Sequence, residues 1–240
     1  MKALVIGASG ATGRLVVRQL IRKNINTKIV VRDISKVSKD IQNNGLVEIV
    51  TGSIYDFEKS EYLDLIRDCD AVVSCLGHNI SLKGIFGKPR LLVTGCLENI
   101  CEAIEESKKN KVKVILMSTT ANINRKINEK YLLKDRIVLS LLNILLPPQK
   151  DNVRAAEYLS YKAGENNSHI EWTCVRPDTL INKEETGSYE IYESPKSSPV
   201  FAAGKTSRID VANFMAELLS DESLWEKWKF KMPVIYSRSL

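Results

Sequence analysis

The stretch "GASGATG", residues 7–13, decides the fold through what stands on either side of it. The apolar run at residues 2–6 predicts a β-strand, and the residues after the stretch carry apolar side chains at helical spacing. We expect Gly7 to allow a sharp turn, Gly10 to let a pyrophosphate approach the main chain, and Gly13 to let the helix pack on the strand. Because unpaired amides at a helix N-terminus attract phosphate, the stretch predicts a nucleotide-binding turn.

The rest of the chain alternates apolar strands with helical patterns. The predicted strands are 2–6, 27–32, 46–50, 70–75, 112–118 and 170–176, and the predicted helices between them are 13–23, 57–67 and 91–108. Strands of nearly continuous Val, Ile and Leu suit a parallel sheet that helices cover on both faces. We therefore expect an α/β architecture with a doubly wound parallel sheet, the Rossmann fold.

The second half of the chain has a looser pattern. An apolar helix is predicted over 131–146 and is halted by Pro147-Pro148, and a further helix is predicted over 151–163. The apolar helix either packs into the core or contacts a second copy, another protein or a membrane surface. Residues 183–208 are polar and rich in Ser, Pro and Gly, which is typical of a lid over a site. Without a linker in the sequence, we expect one domain over 1–240, with a small C-terminal substrate and lid region.

Composition narrows the class of protein. The net charge of +6 comes from 35 basic and 29 acidic side chains spread along the chain, which argues against a nucleic-acid partner. Five cysteines without paired CxxC spacing and two isolated histidines predict no metal site and a reducing, cytoplasmic location. Spanning a bilayer takes about 20 apolar residues, and no stretch of this sequence is that long.

Five motifs together resemble one known group of enzymes. They are the glycine turn, "VVRD" after the second strand, "AVVSCLG" in the fourth, "ILMSTT" in the fifth and "EWTCVRPDTL" in the sixth. They are similar to the atypical short-chain dehydrogenases/reductases, in particular the NAD(P)H-binding, NmrA-like and biliverdin-reductase-B-like group. The resemblance covers nearly the whole chain and implies a nicotinamide dinucleotide as cofactor, while it leaves the substrate open.

The resemblance also implies a role for individual residues. Gly7, Ser9, Gly10, Ala11, Thr12 and Gly13 would hold the pyrophosphate, Ser53 and Ile54 would flank the adenine, Leu76 and Gly77 the ribose, Ser118 and Thr119 the nicotinamide, and Pro177 would form a wall of that pocket. Many members of the group have an aspartate where Ser53 stands, so a contact to the adenine amino group is not implied here.

The residues about 20 positions past the glycine turn distinguish NAD from NADP. An acidic side chain there accepts hydrogen bonds from the ribose, whereas an arginine binds the 2′-phosphate of NADP. Arg32 and Asp33 both stand at this point. Arg32 is the first polar residue after the strand, and Arg14 in the turn supplies a second charge, so we expect NADP(H) rather than NAD(H). The alternative is that Asp33 binds the ribose and Arg32 pairs with a surface carboxylate.

The Tyr-x-x-x-Lys pair that usually serves such dehydrogenases is spelled by Tyr158 and Lys162. In the pair, lysine lowers the pKa of the tyrosine, which transfers the proton. This match lies too close to the strand at 170–176 to reach the cofactor, and the family's spacing puts Gln149 and Val153 at the two positions instead. Since neither ionises, no catalytic residue is assigned, and His78 is left as a weak candidate for a proton donor.

Two functions fit this sequence. The first is an NADPH-dependent oxidoreductase that reduces a flavin, a quinone or another planar, tetrapyrrole-like small molecule with the proton taken from solvent or a weak acid. The second is a non-enzymatic NADP(H)-binding redox sensor or assembly factor, which the absent catalytic pair favours. A homodimer or a protein partner would use the apolar helix at 131–146.

Overall fold

The computed structural model describes residues 1–78, 87–109 and 111–238 of the chain. Ten strands are found in these ranges: β1 (Lys2–Ile6), β2 (Asn26–Val31), β3 (Val47–Thr51), β4 (Ala71–Ser74), β5 (Val112–Met117), β6 (Ile170–Pro177), β7 (Thr179–Ile181), β8 (Tyr189–Tyr192), β9 (Lys205–Ser207) and β10 (Val234–Ser237). The α-helices are α1 (Gly13–Arg22), α2 (Lys39–Gln42), α3 (Lys59–Ile66), α4 (Leu92–Glu106), α5 (Leu133–Leu145), α6 (Pro147–Glu157), α7 (Arg208–Ser220) and α8 (Glu222–Trp228).

Eight strands form one sheet in the order β3-β2-β1-β4-β5-β6-β10-β8, in which only β8 runs antiparallel to its neighbour. Strands β7 and β9 form a separate parallel pair. The order 3-2-1-4-5-6 reverses direction between β1 and β4, which is the arrangement of the Rossmann fold. The predicted doubly wound α/β sheet is therefore confirmed. Ligands of such sheets bind beyond the carboxyl ends of the strands, beside the reversal.

Helices cover both faces of the sheet, as the apolar strands predicted. On one face α3, α4 and α6 pack a core that includes Leu65, Leu97 and Ala155, and on the other α1, α7 and α8 pack a core that includes Val16 and Trp225. The central strands are buried along their whole length because side chains on both sides meet helices. Strand β3 lies at the edge of the sheet and is half exposed.

The Pro147-Pro148 pair ends one helix and begins the next. Helix α5 stops at Leu145, as predicted, and α6 starts at Pro147 itself, earlier than the predicted residue 151. Proline suits the first turn of a helix because the missing N–H would have no partner there. The chain continues from α6 into a π-helical turn over Tyr158–Ala163 rather than as regular α-helix.

The segment 183–208 is partly built into the fold. It contributes the edge strand β8, and the amide of Gly187 donates to Asp210 Oδ1 of α7 at 2.8 Å. Thr186 Oγ1 accepts from Gln19 Nε2 of α1 at 3.3 Å. The segment is thus not one continuous loop, and its action as a lid stays a prediction.

No helix within the described part of the chain is long and apolar enough to cross a membrane.

Candidate active site

The glycine turn after β1 has the backbone that its sequence predicted. Gly7 has a φ of +77°, a conformation that side chains disfavour. A Cβ atom on Gly7 would lie 2.5 Å from the carbonyl oxygen of Cys75 in the neighbouring strand connection, and one on Gly13 would lie 2.1 Å from the carbonyl oxygen of Gly7. Both positions therefore require glycine. The turn is closed by a hydrogen bond of 3.0 Å from the amide of Gly10 to Gly7 O.

Backbone donors of this turn are available to a ligand. Ser9, Gly10 and Ala11 are exposed, and within the described ranges the amides of Ala11, Thr12 and Gly13 donate to no protein acceptor. Helix α1 begins at Gly13 and has no acidic residue in its first turn. A helix N-terminus with unused amides and no carboxylate is suited to an anion, so the turn fits the pyrophosphate of a dinucleotide.

Basic side chains surround the end of β2. Arg32 is exposed, while Asp33 beside it accepts hydrogen bonds from the amide and hydroxyl of Ser35 at 2.9 and 2.7 Å. The Ser35 hydroxyl and amide hold the pKa of the Asp33 carboxyl below its usual value. A cavity of about 90 Å³ lies between this loop and the glycine turn, and its lining includes Arg14 and Lys36. The sequence analysis did not single out Lys36.

The end of β3 packs closely around the predicted adenine residues. Ile54 is buried, and its carbonyl oxygen accepts a hydrogen bond of 2.5 Å from the hydroxyl of Tyr62. Ser53 is half-buried and precedes the short turn that contains Ile54, and its side chain makes no cap hydrogen bond there. The ring of Phe57 lies against Gly52, where a Cβ atom would be 2.4 Å from the ring.

His78, at the end of the β4 connection, is buried against an acid. Its Nε2 lies 2.7 Å from Asp151 Oδ2, with both side chains nearly inaccessible to solvent. Asp151 also accepts from the amides of Val93 and Thr94 at 2.8 and 2.9 Å, so its carboxylate caps the N-terminus of α4. Leu76 is half-buried and Gly77 exposed just before this pair. His78 therefore takes part in a structural contact, and its suggested role as proton donor stays untested.

The predicted nicotinamide residues lie on adjoining strand ends. The amide of Ser118 donates to Val175 O at 2.8 Å, and that of Thr120 donates to Pro177 O at 3.1 Å. Asn122 Nδ2 donates to Ser118 Oγ at 2.5 Å. These contacts fix the ends of β5 and β6 side by side, with Ser118 and Thr119 half-buried and Pro177 buried.

The helix that usually carries the catalytic pair has uncharged residues at the two positions. Gln149 Nε2 lies 3.4 Å from both Ala121 O and Asn122 Oδ1, and Gln149 and Val153 face the same cavity. Tyr158 packs against the core, and burial raises the pKa of its phenol. Lys162 is exposed on the π-helical turn. The Tyr158 and Lys162 match thus stands apart from Gln149 and Val153.

A cavity of about 710 Å³ lies beyond Asn122 and Gln149. Its walls come from the segment 121–131, the inner face of α5, helix α6 and the π-helical turn, and no residue of 183–208 lines it. Amide, hydroxyl, basic and acidic groups line it together with some apolar side chains: Asn122, Asn124, Asn128, Asn143, Ser140, Ser160, Tyr161, Arg125, Lys130, Arg136, Glu129, Glu157, Ile123, Leu139, Val153 and Met232. This volume is that of a pocket for an organic ligand. The sequence analysis did not predict the cavity, whose lining residues, apart from Met232, all fall within 121–161.

One buried ion pair supports the cavity wall and was also missed. Arg176 at the end of β6 and Glu129 are 0% and 1% exposed, and both terminal nitrogens of Arg176 contact the carboxylate at 2.8 and 2.9 Å. The other N–H groups of Arg176 donate to the carbonyl oxygens of Met232, Asn122 and Glu193. The available signal was an arginine near the end of a strand whose residues 174 and 175 are apolar.

The chain was compared with known families and structures. A family model described as NAD(P)H-binding matches residues 7–222. The chain belongs to the NAD(P)H-binding family. The expected NAD(P)H-binding group is thereby confirmed, as is the class of cofactor, a nicotinamide dinucleotide.

Three known proteins are similar to the chain over nearly its whole length. The divinyl chlorophyllide a 8-vinyl-reductase of Arabidopsis thaliana is 24% identical over 232 residues, which are 93% of this chain and 51% of that protein, so this chain spans about half of its length. A short-chain dehydrogenase/reductase of Veillonella parvula in complex with NADP superimposes with a TM-score of 0.70 at 13% identity, over 99% of this chain and 95% of that one. An anaerobilin reductase of Escherichia coli gives 0.69 at 16% identity, over 100% and 98%.

Proposed function

We propose that this protein is an NADPH-dependent reductase of a planar small molecule that binds in the cavity of about 710 Å³. The observation that carries the proposal is the continuity from the predicted nicotinamide residues to the cavity. Ser118 contacts Asn122, and Asn122 contacts Gln149, which lines the cavity beside it. An acceptor in this cavity would lie next to the carboxyl end of β5, where the nicotinamide is expected.

The preference for NADPH rests on the charges at the end of β2. Asp33 is engaged by Ser35, whereas Arg32 is exposed and Arg14 and Lys36 line the neighbouring small cavity. A 2′-phosphate would meet cations here, whereas one oxygen of the Asp33 carboxylate, Oδ1, already accepts both hydrogen bonds from Ser35. These contacts support the expectation that Arg32 binds the phosphate, against the alternative that Asp33 binds the ribose.

The lining of the large cavity suggests the class of acceptor. Arg136 and Lys130 bring positive charge, and within the described ranges neither forms an ion pair with a carboxylate. The two carboxylates of the lining are paired, by contrast, Glu129 with Arg176 and Glu157 with Arg125. We therefore favour a planar acceptor that carries carboxylates or phosphate, such as a tetrapyrrole-like molecule or a flavin nucleotide. The names of the chlorophyllide and anaerobilin reductases among the similar proteins support the first of these.

The chemistry would depend on positioning. NADPH, when bound, supplies the hydride, and the chain holds the acceptor against it. Gln149, whose amide contacts within the protein are long at 3.4 Å, offers hydrogen bonds to acceptor heteroatoms in the cavity. Because Gln149 and Val153 cannot donate a proton as an acid, the proton would come from water.

The experiment follows NADPH absorbance under anaerobic conditions with linear tetrapyrroles, flavin nucleotides and quinones as acceptors. We expect oxidation of NADPH with at least one carboxylate- or phosphate-bearing acceptor, and a raised KM for that acceptor in Arg136→Gln. Lys59→Gln, on helix α3, which contributes no residue to the cavity, is the control and should keep the original KM. An unchanged KM in Arg136→Gln would contradict the assignment of the cavity.

The second candidate, an NADP(H)-binding sensor, is favoured by the absence of an ionisable side chain at Gln149 and Val153. A sensor would bind NADPH and NADP tightly, with different effects on its thermal stability, and oxidise NADPH with none of the acceptors.

A further inference from the structure

The outer face of α5 exposes a row of large aliphatic side chains. Leu133, Ile137, Leu141, Ile144 and Leu145 are between 52% and 76% exposed. Of the thirteen large hydrophobic side chains exposed within the described ranges, six lie at residues 132–145. At about 100° per residue, Leu133, Ile137, Leu141 and Ile144 fall on one side of the helix. We call this set, with Leu145, the aliphatic stripe.

A further apolar side chain extends the stripe. The ammonium of Lys134 lies 4.6 Å from the ring centroid of Phe201, which is itself 55% exposed. Ser198 Oγ donates to the carboxylate of Asp135 on the inner side of α5, and this contact holds the segment that contains Phe201 against the helix. The exposed apolar surface therefore continues beyond α5. Scattered apolar residues are normal on a protein surface, but a contiguous patch of this kind indicates an interaction site.

The charges around the stripe have one sign. Lys130, Lys134, Arg136 and Lys150 are exposed, and the acidic residue between positions 130 and 150 is Asp135, which is 1% exposed. On the helix, Lys134 and Arg136 lie on opposite sides of the line through Leu133 and Ile144. The exposed charges of residues 130–150 are thus all cationic, and the two on α5 lie on either side of that line.

We propose that the aliphatic stripe docks on the surface of an anionic lipid bilayer. A helix with an aliphatic face and cations on its borders lies in the membrane interface, where the apolar side chains enter the acyl boundary and the cations meet lipid phosphates. The side chains of Lys134 and Arg136 are long enough to reach lipid phosphates from beside the aliphatic groups. A second copy of the chain is the less favourable occupant, because two stripes packed face to face would bring their cations together.

Docking of the aliphatic stripe would also bring the large cavity close to the bilayer. Arg136 and Ser140 are exposed and also line the large cavity, so the cavity opens beside the stripe. A bilayer held by the stripe would lie next to that opening. The docking itself requires neither a cofactor nor an acceptor and stands independently of the reductase activity.

The test is flotation of the full chain with vesicles of phosphatidylcholine alone and of phosphatidylcholine with phosphatidylglycerol. We expect binding to the anionic vesicles, weak binding to the neutral ones, and loss of binding as the salt concentration rises. Lys134→Gln/Lys150→Gln should lower the partition coefficient about thirtyfold, since each cation contributes about a factor of five. Ile137→Ser/Leu141→Ser should lower it by more than about tenfold. These positions are exposed, so circular dichroism should show an unchanged fold.

The control is Lys59→Gln/Lys227→Gln, which removes the same charge from exposed sites outside the stripe. Equal losses in this control and in Lys134→Gln/Lys150→Gln would overturn the proposal, because the net charge of the protein would then explain the binding. Equal binding of the original chain to both kinds of vesicle, or no binding to either, would also overturn it. Sedimentation without lipid checks the other occupant: a dimer that Ile137→Ser/Leu141→Ser dissociates would assign the stripe to a second copy.

Discussion

The glycine turn after β1 and the ion pair at the end of β6 differ in how far their polar groups are hydrogen-bonded within the chain. In the turn, the amides of Ala11, Thr12 and Gly13 have no acceptor among the described residues, and Ala11 is exposed. At the end of β6, every N–H of the Arg176 guanidinium has an acceptor, and the side chain is inaccessible. Unused donors at a surface are available to a ligand, whereas a fully paired buried group holds segments together. Polar groups of the first kind serve binding, and those of the second kind serve the scaffold.

The largest effect is expected at the buried ion pair between Arg176 and Glu129. Arg176→Met leaves the Glu129 carboxylate buried without its cation, and we expect a loss of about 3–5 kcal/mol in the free energy of unfolding, measured with denaturant. The matched variant is Arg176→Met/Glu129→Met, which removes both charges and should recover most of that loss. If the double variant is as unstable as the single one, the carbonyl contacts of Arg176 rather than the ion pair hold this region.

The next effect is expected at the binding side. Gly13→Ala places a Cβ atom 2.1 Å from Gly7 O and must displace the turn. We expect the affinity for NADPH, measured by calorimetry, to fall by more than about a hundredfold, since two or more hydrogen bonds to phosphate are lost.

The control for Gly13→Ala is Gly45→Ala, which lies before β3 and has no atom within 4 Å of its Cβ position among the described residues. It should bind NADPH normally. Retained affinity in Gly13→Ala would mean that the unused amides of the turn do not bind the cofactor.

These two regions also differ in how well the sequence predicted them. The glycine turn, the parallel strands and the Rossmann order follow from local patterns, because a strand, a tight turn and a helix are encoded within a few adjacent residues. Arg176 and Glu129 are 47 positions apart, and His78 and Asp151 are 73 apart. Neither pair leaves a local pattern in the sequence.

A strand within the polar segment 183–208 is a second feature that the sequence analysis did not predict. Its Ser, Pro and Gly content favoured a lid, yet "YEIY" at 189–192 forms β8 on the edge of the main sheet. The β-propensity of two tyrosines and an isoleucine was outweighed in the prediction by the surrounding loop-forming residues. Pairing with β10, which comes later in the chain, supplies the stabilisation that the local sequence does not reveal.

A smaller effect is expected at Arg32, where a substitution should lower the affinity for NADPH without lowering that for NADH. Arg32→Ala should weaken NADPH about tenfold or more, because a charge-assisted hydrogen bond to phosphate contributes roughly 1.5–3 kcal/mol, and should leave NADH nearly unchanged. Arg22→Ala, an exposed arginine at the other end of α1, is the matched control. Equal losses for both nucleotides would assign Arg32 to a structural role and return Asp33 to the ribose.

The smallest effect is expected at Gly95, which lies neither in the glycine turn nor at the buried ion pair. Gly95 lies inside α4, has an ordinary φ, and would meet no atom within 4 Å of an added Cβ among the described residues. Gly95→Ala should raise the free energy of unfolding by about 0.5–1 kcal/mol, because alanine reduces the conformational entropy that the unfolded chain loses on entering a helix. Calorimetric melting without nucleotide measures this gain. A loss of stability instead would show that the backbone at Gly95 is constrained in the way that Gly7 and Gly13 are, and the requirement for glycine would then extend from the turn into α4.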